Sequence, residues 1–211
     1  MNRTDIINYL ISQHNLKSYL EIGLDNPDAN YNHVICEFKE SCDPYINDNW
    51  DGHYDRNALP DEVKNVLTYH MTSDEMFKIN DKKYDIIFID GYHEQMQVGR
   101  DIINALRHLN PGGVIVVHDC LPPIKEMQEM PRMSGGWNGD VWKAIPKLAL
   151  QNITYNVVTT DYGVGIIPYH ERWKELQDIT EESSLNWENF VTNWIVLMNA
   201  ITEEEFVKKY K

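Results

Sequence analysis

The chain has 211 residues, a formal net charge of -14 and an apolar fraction of 42%. That length suits one domain with a small appendage, and the apolar fraction supplies a buried core without a run long enough to span a bilayer. An acidic chain with no Lys/Arg cluster lacks the basic face that displaces counterions from phosphates, so nucleic acid is not expected as a partner, and neither is a membrane.

The N-terminus reads MNRTDIINYL, polar where a signal peptide would be apolar, which predicts a cytoplasmic protein. Thr4 is placed to cap a first helix whose Ile6, Ile7, Leu10 and Ile11 share one face. Ser18 to Gly23 is a short apolar strand ending in glycine, and Glu40 to Asp43 a second strand. Tyr45 to Pro60, rich in Asn, Asp and Gly, reads as a loop or insertion. Val66 to Met71 is a third expected strand, and Asp74 opens a short helix through Phe77. Tyr84 to Asp90 is a strong buried strand, and the helix after it puts Val98, Ile102, Ala105, Leu106 and Leu109 on one face. Asn110 to Gly113 reads as a turn, Val114 to Val117 as the next strand, ending at His118-Asp119.

Leu121 to Gly136 is long and irregular for a compact domain, which predicts a lid or binding loop. Trp137 to Leu150 reads as a helix with Trp137, Val141, Ile145 and Leu148 inward. Thr154 to Thr159 and Val164 to Pro168 form two final strands around an Asp161-Tyr162-Gly163 turn. Near the C-terminus Trp187, Phe190, Val191, Trp194, Ile195 and Met198 recur at helical spacing, as a core-covering helix or, second, a homodimer contact. Glu203 to Glu205 reads as a solvated first helical turn. Cys36, Cys42 and Cys120 are scattered, which argues against a disulfide scaffold or a zinc site.

Strand and helix alternate, which predicts an α/β, doubly wound, mostly parallel seven-stranded sheet over residues 1–170, with 171–211 a helical extension packed on the same domain. In open α/β sheets the ligand sits outside the carboxyl ends of the strands, near the topological switch. Gly23, Asp43, Asp90 and His118-Asp119 all fall at or near such ends.

The motifs YLEIG, Asp43-Pro44, TSDEMF, DIIFIDG with His93 two residues on, LNPGGVIVVHDC, GDVWKAI and DYGVGII run in order from Tyr19 to about Ile167. As an ordered set they resemble the class I S-adenosylmethionine-dependent methyltransferases, within them the small stand-alone bacterial enzymes related to macrocin and catechol O-methyltransferases. The resemblance implies methyl transfer from S-adenosylmethionine to a hydroxyl of a small polar acceptor, a sugar or glycan foremost. It puts Glu21 and Gly23 at the methionine end of the cofactor, Asp43 on the ribose, Ser73 and Asp74 at the adenine, and Asp90 beside the reacting centre. The family's second glycine in the first loop is missing, and Asn26 or Asn30 is the expected positive-φ residue instead.

Asp90, His93 and His118 are the expected catalytic residues, by one of two routes. The macrocin-type enzymes hold a divalent metal, which here would fall to Asp90, His118 and Asp119. His118 stands where that family has a carboxylate, which suits Mg²⁺ less than a softer ion such as Mn²⁺, iron or zinc. Without a metal, His93 or His118 would serve as general base. Asp140, Trp142 and Lys143 of GDVWKAI are candidates for the acceptor pocket. The rival classes are a cofactor-binding protein without turnover, an iron-holding outlier, and an NAD(P)-dependent oxidoreductase. The last would require a G-x-G-x-x-G turn that the first loop does not contain.

Overall fold

The computed structural model describes residues 1–44, 59–132, 136–171 and 184–211. Most of the expected 45–60 insertion and part of the 121–136 lid lie outside the described residues. Helix α1 (Arg3–His14) is capped by Asn2 rather than Thr4: the Asn2 side chain accepts from the Asp5 amide, and the Asp5 side chain accepts from the Asn2 amide in return. Thr4 instead donates to Asn30 Oδ1 at 2.7 Å. Strands β1 (Ser18–Ile22) and β2 (Phe38–Cys42) follow, then short helices α2 (Asp61–Lys64) and α3 (Ser73–Ile79). Strand β3 (Tyr84–Ile89), helix α4 (Gln95–Arg107) and strand β4 (Leu109–Val117) form the central crossover. The chain continues through α5 (Lys147–Leu150), β5 (Asn156–Val158), β6 (Val164–Pro168), α6 (Trp187–Leu197), β7 (Ala200–Ile201) and α7 (Glu203–Lys209).

The seven strands lie in the order β2-β1-β3-β4-β6-β5-β7. The first four are parallel, β6 runs antiparallel to both β4 and β5, and β7 is parallel to β5. The central strands are buried on both faces, so Ile86–Ile89 of β3 and Val114–Val117 of β4 are continuous apolar runs. Strand residues alternate between two cores. Ile87, Ile89, Ile115 and Val117 pack with Val98, Ile102 and Leu106 of α4 and with Trp142 and Phe190. Ile86, Phe88, Val114 and Val116 pack with Ile6, Ile7 and Leu10 of α1 and with Phe206 of α7.

Three sequence expectations are corrected. Residues 66–71 are not a strand; they make one isolated parallel bridge, Cys42 to Tyr69. Side-chain hydroxyls there take partners a ladder would use: Ser41 Oγ donates to the Val66 carbonyl at 2.8 Å, and Thr68 Oγ1 accepts from the Ser41 amide at 3.2 Å. The seventh strand is instead β7, in a stretch that read as helical. Asn110–Gly113 is a bulge within β4 rather than a separating turn, since the register moves from Tyr84 opposite Leu109 to Ile86 opposite Val114. Residues 137–150 are not one helix. A 3-10 turn, Val141–Ala144, and the four-residue α5 lie on either side of Ile145 and Pro146, and proline removes a helical donor.

Among the described residues Trp142 is the largest fully buried side chain, its ring 4.5 Å from that of Phe190 on α6. Phe190 and Met198 are buried on this face of α6, whereas Val191, Ile195 and Val196 are exposed. Truncating Trp142 leaves a cavity that the surrounding strands cannot close. The Trp142→Ala variant is expected to lose about 3–5 kcal/mol of stability in urea denaturation, while Val196→Ala at an exposed position changes it by less than about 0.5 kcal/mol.

Candidate functional site

The site lies at the topological switch, where β1 and β3 diverge to serve opposite halves of the sheet. The Asp90 amide donates to the Ile22 carbonyl at 2.9 Å and the His118 amide to the Ile89 carbonyl at 3.1 Å, so the ladder continues past the strand ends and sets Asp90 beside His118. Gly23 has φ +88°, and a Cβ on it would lie 2.1 Å from the Asp90 carbonyl oxygen. No other residue type fits this pass. In the loop beyond, the left-handed residue is Asp25 (φ 39°), not Asn26 or Asn30, whose φ values are -102° and -154°.

Two cavities share Gly23, Asp25, Asp90 and Gly91 as walls. The larger, about 550 Å³, is lined by Asp43, Ser73, Asp74, Tyr92, Gln97 and Asp101 among others. The second, about 410 Å³, is lined by Arg3, Glu21, Asn30, His93, His118, Asp119, Arg132 and Trp137 among others. Glu21, Gly23, Asp43, Ser73, Asp74, Asp90, His93, His118 and Asp119 therefore each border one cavity or both.

In the larger cavity, Asp43 Oδ2 accepts from the Asp25 amide at 3.1 Å, which ties the first loop to the end of β2. Ser73 and Asp74 open α3, capped by Thr72 in a reciprocal box with Glu75. Asp74 pairs with Arg100 at 3.4 Å. Asp101 and Gln97, one turn apart on α4, carried no motif that sequence reasoning could use. Gln97 Nε2 donates to Asp101 Oδ1 at 3.1 Å and to Ser73 Oγ at 3.2 Å. Burial pushes the Asp101 carboxyl up to about 7, against the hydrogen bonds from Ser73 and Gln97 that pull it down.

The second cavity holds a compact ring of charge. His93 Nε2 lies 3.4 Å from Asp90 Oδ1 and its Nδ1 3.3 Å from Asp119 Oδ2. His118 Nδ1 lies 3.3 Å from Asp90 Oδ1 and 3.4 Å from Asp119 Oδ1. The outer nitrogen of His118, Nε2, is 3.6 Å from Asp161 Oδ2, and His93 Nδ1 is 3.1 Å from the Trp137 carbonyl. Arg3 reaches in from α1: its Nε is 3.8 Å from Asp90 Oδ2, its Nη1 3.5 Å from Asp161 Oδ2, and its amide donates to Asp161 Oδ2 at 2.8 Å. Burial opposes charge here, but the carboxylates outweigh it and raise both imidazoles above their ordinary value. In return the imidazoles hold Asp90 well below the usual carboxylate range despite its burial, and the His118 hydrogen bond takes Asp161 down to about 2.

Two sequence expectations shift. The Asp161 turn, read as structural, supplies a carboxylate to this ring. Trp137, expected inward, stacks on His93 with ring centroids 5.2 Å apart and lines the cavity. Conversely, Asp140, Trp142 and Lys143 line neither cavity. Asp140 Oδ1 accepts from the Gln95 amide at 2.7 Å at the start of α4, and Lys143 pairs with Asp140 at 3.2 Å. Arg3 gave no sequence signal, because it enters from a helix remote from every motif.

Asp90, His93 and Asp119 each offer a ligand atom, all within 4.8 Å of one another, and His118 adjoins both carboxylates. The group that comes within this distance has His93 where the expected trio had His118. Nitrogen and carboxylate donors in one cluster fit a borderline divalent ion, and fit Mg²⁺ less well.

Glu21 sits beneath the ring, where its Oε2 accepts from the Asn30 amide at 2.8 Å and from the Tyr19 hydroxyl. Burial raises its carboxyl from 4.5 to about 8, and these hydrogen bonds only partly offset it. The folded state therefore holds this proton more tightly than the unfolded chain does. Stability contributed by Glu21 is complete below about pH 4.5 and is lost as pH rises towards 8. Melting temperatures from pH 5 to 8 are expected to fall less steeply for Glu21→Gln than for the unaltered chain; equal slopes would contradict the assignment.

A methyltransferase-domain family model matches residues 21–120, which include the end of β1, β2, α2, α3, β3, α4, β4 and the Asp90/His118/Asp119 positions. No curated protein sequence matches the chain. Among solved structures, a candidate caffeoyl-CoA O-methyltransferase from Staphylococcus aureus aligns with TM-score 0.54 at 20% identity, over 79% of this chain and 82% of that one. The O-methyltransferase from Bacillus cereus in complex with SAH aligns with TM-score 0.53 at 13% identity, over 81% and 82% of the two chains. The SAH-bound Podospora anserina methyltransferase PaMTH1 aligns with TM-score 0.51 at 15% identity, over 77% and 76%. Residues 21–120 are thus similar to a methyltransferase domain, and the chain shares the fold of these solved structures.

Proposed function

We propose that the chain transfers a methyl group from S-adenosylmethionine to a hydroxyl of a small polar acceptor, with a sugar or glycan hydroxyl as the leading candidate. The observation that carries this reading is the pair of cavities with a common wall at Gly23 and Asp90. The larger has the volume and donor set for adenosine. Asp43 is placed to accept from the ribose diol, and Ser73, Asp74 and Asp101 offer polar groups to the adenine. The second, lined mainly by charged and polar side chains, receives the acceptor. Similar folds from Bacillus cereus and Podospora anserina were solved with SAH, which supports the same cofactor here.

The sulfonium brings its own leaving group, so the protein has two tasks. One is to hold the acceptor oxygen in line with the S–CH₃ bond, which converts a bimolecular encounter into an oriented one. Gly23 and Asp90 on one side, and Trp137 and Arg132 on the other, confine the acceptor. The other task is to take the hydroxyl proton as the O–CH₃ bond forms. By the route without a metal, His93 at the cavity wall serves as the base, with Trp137 O accepting from Nδ1 and Nε2 turned to Asp90. A divalent ion held by Asp90, His93, His118 and Asp119 would lower the pKa of the acceptor hydroxyl.

Thermal-shift measurements with S-adenosylmethionine, SAH, NAD and NADP test the reading, since a ligand of the folded state raises its melting temperature. Both sulfur nucleosides are expected to stabilise the chain. Asp43→Ala, which removes a charged acceptor, is expected to weaken SAH by about tenfold to a hundredfold in calorimetry. Stabilisation by NAD and by neither sulfur cofactor would overturn the assignment.

A further inference from the structure

Resting on the methyltransferase reading, and deepening it at the nucleoside end, we propose that Asp101 meets the cofactor's adenine as a neutral carboxylic acid, donating to a ring nitrogen and accepting from the exocyclic amine, so that nucleoside binding takes up one proton above neutral pH.

Asp101 is 1% exposed on α4 and borders the larger cavity. Its hydrogen-bond partners are neutral. Gln97 Nε2 donates to Asp101 Oδ1 at 3.1 Å, and the Ser73 hydroxyl bonds to the same carboxyl. The Gln97 amide is held in this orientation, because its Oε1 accepts from Arg100 Nη2. Gln97 Nε2 also donates to Ser73 Oγ at 3.2 Å, which leaves the Ser73 hydrogen for Asp101.

The charged and titratable groups around it supply no compensating cation. Among the described residues, no Lys, Arg or His lines the larger cavity. Asp74 and Glu75 on α3 are acidic, as is Asp43 beyond β2, and burial keeps Cys42 at the end of β2 a neutral thiol. Arg100, one position before Asp101 on α4, is spent elsewhere: its Nε pairs with Asp74 at 3.4 Å and its Nη2 with Gln97. A buried carboxylate without a paired cation is costly, and a proton removes that cost. Burial accordingly pushes Asp101 up to about 7, with Asp74 adding to the effect and Ser73, Gln97 and Arg100 opposing it.

Adenine presents, side by side, an amine that donates and a ring nitrogen that accepts. A neutral carboxyl offers the matching pair, a hydroxyl donor and a carbonyl acceptor. A carboxylate can only accept, and its second oxygen would face the lone pair of the ring nitrogen. A bound base also excludes water from Asp101, which favours the neutral form further. The carboxyl therefore keeps its proton in the complex at pH values where the free cavity has released it. Below about pH 7 the free carboxyl is already protonated and binding takes up nothing; above it each bound nucleoside brings in one proton, so affinity falls as pH rises.

The test is calorimetry of the full chain with methylthioadenosine and with SAH, from about pH 5.5 to about 8.5, in buffers of different ionisation enthalpy. Methylthioadenosine lacks the amino-acid end, so Glu21 takes no part in its proton balance. Both ligands are expected to bind with constant affinity below about pH 6.5 and to weaken by about tenfold per pH unit above about pH 7.5, with proton uptake rising from near zero to about 0.9 per ligand at about pH 8. Asp101→Asn keeps a donor and an acceptor but cannot ionise; its affinity is expected to change by less than about twofold over the same range, with no uptake from this position. Binding to the unaltered chain without uptake at about pH 8, or equal uptake of methylthioadenosine-linked protons in Asp101→Asn, would overturn the proposal and leave the methyltransferase reading standing. Should Asp101→Asn fail to fold, the uptake by the unaltered chain with methylthioadenosine still decides. Binding of neither ligand at any pH would overturn both.

Discussion

The backbone of Gly23 passes so close to that of Asp90 that even a methyl group would collide with a carbonyl oxygen. That pass is where β1 and β3 part, and it forms the wall common to both cavities. A side chain at Gly23 would push the first loop off the Asp90 turn and separate the larger cavity from the charged ring. The loop is further tied down by Asp43, which accepts from the Asp25 amide across the mouth of the larger cavity.

Around that pass the chain gathers several buried ionisable groups. His118 and Asp119 are almost fully buried, Glu21 lies beneath them, and Arg3 crosses from the opposite helix layer. Buried charge is costly unless it is paired, and every member of this ring faces a partner of opposite sign. The charge is concentrated at the carboxyl ends of β1, β3 and β4, where the apolar strands stop. Those strands supply two dry cores, and their stability is what allows a strained, polar rim. Asp119 and Asp161 both have positive φ, as short polar residues tolerate at such corners.

Much of the central architecture was legible in the residues. The run Tyr84 to Asp90, the apolar stripe of α4 and the strand before His118-Asp119 have strong periodicity, and each forms where expected. The solvated turn at Glu203–Glu205 is also where the pattern put it, capped by Thr202. Where periodicity was short, it misled. Val66 to Met71 has strand composition but is satisfied by the hydroxyls of Ser41 and Thr68, and Trp137 has the spacing of a core residue yet stacks on His93. Two edge residues, Ala200 and Ile201, are too few to announce a strand, and only pairing with β5 makes them one.

By itself, the sequence determined the α/β order and the strand ends at which the polar residues gather, because these follow from local periodicity, whereas the pass that requires glycine at position 23 is made only by Asp90 in the folded chain. Tertiary structure alone decided which charges meet. Arg3 and Asp161 lie 158 positions apart, and neither belongs to a pattern naming the other. Their meeting at His118 depends on α1 packing against the same sheet whose β5–β6 corner carries Asp161, a long-range consequence of two faces being buried at once. The same holds for His93, whose orientation is set by a carbonyl and a ring from the segment that follows the lid.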